Sequence, residues 1–230
     1  MSPAPARLRA RAVLVDLDGT LLDTVADLAA AVNRMLGELG REALAEPVVA
    51  SYVGRGADVL VHRALGGGLD ARVDAALHAR GAAAFARHYA IENGRHARPY
   101  PGVREGLDAM RAMGLRLACV TNKPQAFAEP LLGRCGMRAD FELVLGGDAL
   151  PRRKPDPLPM LHAAGALGAA PHEAVAIGDS VNDALAARAA GMAVLAVPYG
   201  YNEGRDVGSL DVDGIVGSLS EAAQRIEPIR

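Results

Sequence analysis

The sequence predicts an α/β protein: a doubly wound parallel sheet with a small helical unit inserted near its beginning. Three observations carry that expectation. Five short apolar runs each stop abruptly at polar residues, and helical patterns closed by glycine lie between them. The first run stands about a hundred residues before the second, whereas the later ones follow at ordinary crossover spacing.

The first run, residues 12–15, meets Asp16. Residues 115–120 meet Thr121 and Asn122, residues 142–145 meet Gly146, residues 174–177 meet Gly178 and Asp179, and residues 193–197 meet Pro198. These runs are near-continuous rather than alternating, as strands buried on both faces are. Residues 103–113, 158–167 and 182–190 read as helices closed by Gly114, Gly168 and Gly191. Such a sheet binds ligands at the carboxyl ends of its strands.

Inside the long gap, Leu28, Val32, Met35, Leu36 and Leu39 repeat at helical period, with Asp23 or Thr24 as N-cap and Gly40 as terminator. Pro47 opens a short helix, residues 57–65 form another, and residues 70–93 form a longer one that Gly81 can split. The expected organisation is a Rossmann-like core of residues 1–23 and 98–230 with a helical cap at 24–97. The segment after Val207 is rich in Gly and Asp, ends in a helical piece and carries no assigned chemistry.

Composition narrows the function classes. With 230 residues, half of them hydrophobic and 23% charged, the chain can bury a core without disulfide staples. Aromatics make up 3% and tryptophan is absent, so base-stacking surfaces have little material. A formal charge of -2 creates no field for nucleic acid or an anionic membrane, so an anionic substrate must be held locally. Cys119 and Cys135 read as small buried residues in a reducing compartment. The basic start reaches Asp16 before a secretory apolar region can form, and no stretch approaches the ~18 apolar residues of a membrane span. The expectation is a soluble, cytoplasmic monomer or homodimer with no nucleic-acid or membrane partner.

The polar residues at the strand ends carry the chemistry. Asp16 and Asp18 lie two apart after the first strand, so in an extended chain their carboxylates point the same way. Two charges ~4 Å apart repel by roughly 4 kcal/mol at an effective dielectric of 20, enough to draw a proton or a cation onto the pair. Asp-x-Asp also occurs as an ordinary turn cap. Asp179 and Asp183 flank the start of the fourth crossover helix and face the same crevice; capping of that helix accounts for them equally well. Hard oxygen donors with no histidine or thiolate nearby suit magnesium better than zinc. Thr121 and Asn122, ahead of a helix start at Lys123-Pro124, form either an anion site or an N-cap. Lys154 follows two arginines and is stiffened by Pro155 and Pro157, which can fix one cation while the arginines stay in water.

Taken together these residues resemble the haloacid dehalogenase superfamily of phosphatases, whose four motifs occur in order. They are Asp16-Leu17-Asp18-Gly19-Thr20-Leu21-Leu22-Asp23-Thr24, Val120-Thr121-Asn122-Lys123-Pro124, Lys154-Pro155-Asp156-Pro157 and Gly178-Asp179-Ser180-Val181-Asn182-Asp183. Tyr52 to Leu60, Tyr100 to Val103 and Pro198 to Asn202 add to the likeness, which spans almost the whole chain. Thr24 stands where serine is frequent in the family.

The resemblance implies a hydrolase in which Asp16 attacks phosphorus to form an aspartyl-phosphate and Asp18 is acid and base. It implies Mg2+ bound by the Asp16 carboxylate, the Asp18 main-chain carbonyl and Asp179, with Thr121, the Asn122 backbone and Lys154 on the phosphate and Asp183 behind them. The charges agree: a phosphate dianion with Asp16 and Asp179 carries four negative charges, and Mg2+ with Lys154 returns three positive ones. The substrate expected is a small phosphomonoester, 2-phosphoglycolate, whose carboxylate needs a cation; Arg55, between two cap glycines, is the candidate. The alternatives are a sugar-phosphate or nucleotide phosphatase and a phosphosugar mutase. A dehalogenase is disfavoured by Asp18, since a halide needs no proton. A phospho-receiver signalling module is disfavoured by the insert and by Thr121, where a receiver places its acceptor aspartate.

Overall fold

Burial on both faces decides which apolar runs become the central strands. The computed structural model describes residues 7–229, so residues 1–6 of the basic start lie outside it. Ten strands follow in chain order: β1 (Leu8–Ala10), β2 (Ala12–Val15), β3 (Leu22–Asp23), β4 (Arg98–Pro99), β5 (Arg116–Val120), β6 (Leu143–Leu145), β7 (Ala174–Gly178), β8 (Ala193–Ala196), β9 (Gly214–Ile215) and β10 (Ile226–Pro228). Every residue of β2 and β7 is buried, and these two are the middle of a six-stranded sheet ordered β6-β5-β2-β7-β8-β9. All its pairings are parallel, with Val15 opposite both Cys119 and Ile177.

Nine α-helices are described: α1 (Val25–Glu38), α2 (Glu46–Tyr52), α3 (Ala57–Gly66), α4 (Ala75–Glu92), α5 (Val103–Ala112), α6 (Gln125–Arg134), α7 (Leu158–Ala166), α8 (Val181–Ala189) and α9 (Leu219–Gln224). Val13 and Val15 point to one face of the sheet, into a cluster with Leu107 of α5, Leu131 of α6 and Leu219 of α9. Ala12 and Leu14 point to the other, against Met160 and Ala163 of α7 and Ala186 of α8. This is the doubly wound arrangement that the crossover spacing predicts. Three short pairings went unread: β9 at the sheet edge, parallel β1 with β10, and antiparallel β3 with β4. Elements of two or three residues are too short to carry a period.

Helices α1–α4 pack around their own core of Val32, Met35, Leu36, Leu60 and Phe85. Helix α4 starts at Ala75 rather than near Asp70, because Asp74 caps it by accepting from the amides of Ala76 and Leu77. It passes Gly81 unbroken: a Cβ there would stand 2.7 Å from Leu65 Cδ1, so the glycine serves close packing of α4 on α3. The return of the chain to the sheet is anchored by buried Asp27 of α1, which accepts from the amides of Gly94, His96 and Ala97. Pairing of Leu22 with Pro99 and of Asp23 with Arg98 ties the two connecting segments together. Among the described residues no helix is long and apolar enough to cross a membrane.

Candidate active site

The segments that follow β2, β5, β6 and β7 converge at the carboxyl edge of the sheet, where an open strand order leaves a crevice. Lys154, buried between β6 and α7, is their hub. Its Nζ donates to Asp16 Oδ1 at 2.7 Å, to Asp183 Oδ1 at 2.6 Å and to the Val120 carbonyl at 2.6 Å, so three acceptors match the three N–H bonds of an ammonium. Asp183 sits in the first turn of α8, held at Oδ2 by the Ser180 hydroxyl (2.6 Å) and amide (3.2 Å). Asp183 therefore both closes the capping box at the start of α8 and meets Lys154. Asp179 accepts from the Thr20 hydroxyl at 2.9 Å and the Tyr201 amide at 2.8 Å. Room for it exists because Gly19, at φ +90°, would place a Cβ 2.6 Å from Asp179 Oδ2, and a Cβ at Gly200 would overlap the same carboxylate.

One oxygen each from Asp16, Asp179 and Asp183 lies within 4.8 Å of the others. Burial pushes the Asp16 carboxyl up to about 8; Lys154 opposes that shift, while Asp183 and Asp179 add to it. Burial and then Asp183 push Asp179 up to about 7, against the hydrogen bonds from Tyr201 and Thr20. Burial works against the Lys154 ammonium, yet Asp16 and Asp183 outweigh it and hold the charge. Three carboxylates against one ammonium leave two negative charges unbalanced. Hard oxygen donors in this number and spacing fit a divalent cation of the magnesium type; without one, the crowded carboxylates add to the upward shift that burial gives Asp16 and Asp179.

Asp16 and Asp18 line one cavity but take different partners. The strand ends at Val15, and Asp18 turns instead to Lys123, whose Nζ donates to its two oxygens at 2.9 and 3.2 Å, and to the Thr24 hydroxyl at 2.7 Å. Each carboxylate has its own lysine, and the third side chain of the acidic cluster is Asp183, not Asp18. Lys123 is buried with its Nζ over the Tyr89 ring, 4.8 Å from the centroid. Burial opposes its charge, but Asp18 and Tyr89 hold it protonated. Tyr89, at 1% exposure, has its phenol pushed above the ordinary range by burial, and its hydroxyl has no hydrogen-bond partner among the described residues.

The Thr121 hydroxyl accepts from the Lys123 amide at 3.1 Å, closing the turn into α6. Asn122 Nδ2 donates to the carbonyls of Gly54 and Lys154, both at 2.9 Å, and so joins the α2–α3 loop to the edge of the sheet. Gly54 and Gly56 face the crevice, but the Arg55 side chain between them is exposed and is not on its wall. The structure thus brings Asp16, Asp18, Thr121, Asn122 and Lys154 to one cavity, with Asp179 and Asp183 beneath its floor, and leaves Arg55 outside. That cavity lies between the sheet edge and α1–α4.

Lys123, Thr20, Tyr89 and Tyr201 were missed in the sequence. Lys123 stands inside the second motif, where its position signals only a helix start, and Tyr201 stands in a stretch with no apparent ligand. Thr20 lies within the first motif, where the aspartates drew the reading. Tyr89 carried no local signal, since a tyrosine on an amphipathic helix reads as core.

Known proteins agree with this geometry. Residues 10–191 match the haloacid dehalogenase-like hydrolase family. The phosphoglycolate phosphatase of Thiobacillus denitrificans is 53% identical over 213 residues, covering 93% of this chain and 94% of that protein. The one from Nitrosospira multiformis is 52% identical over 217 residues, covering 94% and 96%. The crystal structure of a predicted phosphoglycolate phosphatase from Haemophilus somnus superposes with a TM-score of 0.88 at 33% identity, over 94% of this chain and 97% of that one. On the match along its length and the carboxylates clustered at its strand ends, the chain belongs to the haloacid dehalogenase-like hydrolase family.

Proposed function

We propose that the chain is a magnesium-dependent phosphomonoesterase that converts 2-phosphoglycolate to glycolate and inorganic phosphate through an aspartyl-phosphate. The observation that carries the reading is the Asp16 carboxylate on the cavity floor, its charge matched by Lys154 and its neighbourhood short of two positive charges. Asp16 attacks phosphorus while the bond to the glycolate oxygen breaks and Asp18 protonates that oxygen. Water then attacks phosphorus, Asp18 takes its proton, and phosphate leaves as Asp16 is regenerated. Mg2+, which Asp16, Asp179 and the Asp18 main chain would hold, neutralises phosphoryl oxygens when bound. Thr121 and the Asn122 amide bind the remaining phosphate oxygens, and Lys154 reaches them by exchanging one of its three acceptors. Asp183 keeps Lys154 in place.

The helical unit of residues 24–97 acts in this reading as a cap over the leaving group. Of the eight residues of α1–α4 and their loops that line the cavity, only Tyr89 carries a side-chain hydrogen-bonding group; the rest include Leu28, Val53, Leu60 and Phe85. A sugar or nucleoside would leave its hydroxyls unpartnered against that wall, at a cost of about 1–3 kcal/mol each, whereas glycolate presents one methylene and one carboxylate. The test is phosphate release from a panel of 2-phosphoglycolate, sugar phosphates and nucleotides with and without EDTA, using Asp16→Asn as the inactive control. The highest kcat/KM for 2-phosphoglycolate, lost in EDTA, is expected. A sugar phosphate or nucleotide ranking well above it would overturn the substrate; turnover by Asp16→Asn would overturn the mechanism.

A further inference from the structure

We propose that Lys123 and Tyr89 together form the receptor for the substrate's carboxylate, making them the residues that select a phosphorylated acid over a neutral phosphomonoester. This rests on the phosphatase reading above and deepens it. Candidate cations are few. Arg55 is exposed and off the cavity wall. Lys154 is bonded to Asp16, Asp183 and Val120, and the one acceptor it exchanges in the proposed reaction goes to the phosphate. Lys123 lines the same cavity: both oxygens of Asp18 chelate it, its Nζ stands over the Tyr89 ring, and Asp18 is its one carboxylate partner among the described residues. Tyr89 lines the cavity beside it with a buried hydroxyl that has no partner. A buried unpaired donor next to a buried ammonium is a costly arrangement unless an anion fills it.

Distance agrees with chemistry. In 2-phosphoglycolate a carboxylate oxygen lies only ~3 Å from the bridging oxygen, given ordinary bond lengths. A substrate whose bridging oxygen hydrogen-bonds to Asp18 therefore brings its carboxylate to the neighbourhood of Lys123 Nζ, itself 2.9 Å from Asp18 Oδ1. The surrounding Leu28, Phe85 and Phe127 exclude water and so strengthen a charged contact there.

The experiment compares kcat/KM for 2-phosphoglycolate and for ethyl phosphate, which replaces the carboxylate by a methyl group, in the wild type and in Tyr89→Phe and Lys123→Met. Tyr89→Phe removes a hydroxyl without a protein partner, so it should fold as the wild type does. The preference for 2-phosphoglycolate is expected to fall about tenfold in Tyr89→Phe, the loss of one hydrogen bond to a charged group, and further in Lys123→Met. If the wild type prefers 2-phosphoglycolate and Tyr89→Phe keeps the full preference, the receptor is elsewhere and the proposal fails while the function stands. If the wild type shows no preference for the carboxylate, both fail together.

Discussion

Replacing Lys154 by methionine removes the ammonium that sits among three clustered carboxylates, and the size of the effect follows from distances. Oxygens of Asp16, Asp179 and Asp183 within 4.8 Å of one another repel by about 3.5 kcal/mol per ionised pair at an effective dielectric of 20. Lys154, at 2.7 and 2.6 Å from Asp16 and Asp183, returns about 6 kcal/mol for each at the same dielectric. Attraction and repulsion are thus of one magnitude, and without Lys154 the cluster must take up protons to remain folded. Near pH 8, where proton uptake is expensive, Lys154→Met should cost the metal-free protein about 3–5 kcal/mol, as removing one partner of a buried pair does. Near pH 5 Asp16 and Asp179 are already protonated, with carboxyls at about 8 and about 7, and only the contact with Asp183 is lost, so roughly half that cost is expected. Urea unfolding in EDTA at the two pH values, followed by circular dichroism because the chain has no tryptophan, measures both. Equal losses at the two pH values, or less than about 1 kcal/mol near pH 8, would refute the charge balance assigned to Lys154.

Further outcomes follow from the same geometry. The raised carboxyls of Asp16 and Asp179 bind protons in the folded state that the unfolded chain has released, so metal-free stability should fall as pH rises from about 4 through about 8; melting temperatures with EDTA should slope downward across that window, and Mg2+ should flatten the slope. Gly200→Ala overlaps Asp179, so calorimetry should show Mg2+ affinity reduced at least tenfold, and unchanged affinity would mean the loop yields. Asp27→Ala leaves the buried amides of Gly94, His96 and Ala97 unpaired and should cost about 3 kcal/mol or more in urea unfolding. Arg63 Nη2 meets Glu203 Oε1 at 2.6 Å with both side chains buried, so Glu203→Gln should cost about 2–4 kcal/mol and loosen Mg2+ binding through the loop that carries Tyr201.

Much of the fold was legible because its signals are local. Residues 12–15 and 174–177 are apolar without interruption, a pattern that only strands covered on both faces need, and they became the two central strands. The glycine stops at Gly114, Gly168 and Gly191 all carry positive φ, which is what a helix terminator supplies. Asp16, Asp179, Asp183 and Lys154 were legible for a related reason: each follows a strand end at short range, and topology alone brings strand ends together. Contacts that span the insert were not legible. Asp27 caps no helix and pairs with no near neighbour; its partners lie 67 to 70 residues away. Arg63 and Glu203 are 140 residues apart, and nothing around either marks the pairing. Arg55 is a different case: its two flanking glycines serve the close approach of that loop's main chain to Asn122, and its side chain is exposed and off the cavity wall.

The loop at 199–204 ties Asp179 to helices α1–α4 through residues other than the carboxylates and lysines of the cluster. Its Tyr201 amide holds Asp179 while the Tyr201 hydroxyl donates to Asp23 at 2.8 Å and accepts from the Thr24 amide at 2.8 Å. Two residues on, Glu203 pairs with Arg63 of α3, and Arg63 also donates to the Tyr52 carbonyl. Asn202 and Glu203 adopt φ of 35° and 52°, a region that costs non-glycine residues about 1 kcal/mol or more each, and the buried contacts on either side offset that strain. Any rotation of α1–α4 about the paired segments at Asp23 and Arg98 must therefore either break the Arg63–Glu203 pair or carry the loop with it. A loop carried along drags the Tyr201 amide from Asp179, so the position of α1–α4 and the setting of Asp179 are mechanically one variable. Asp16 escapes that coupling, because Lys154, which fixes it, stands on the sheet side of the cavity; Asp18 does not, since Thr24 at the start of α1 donates to it beside Lys123 and is itself bonded to Tyr201.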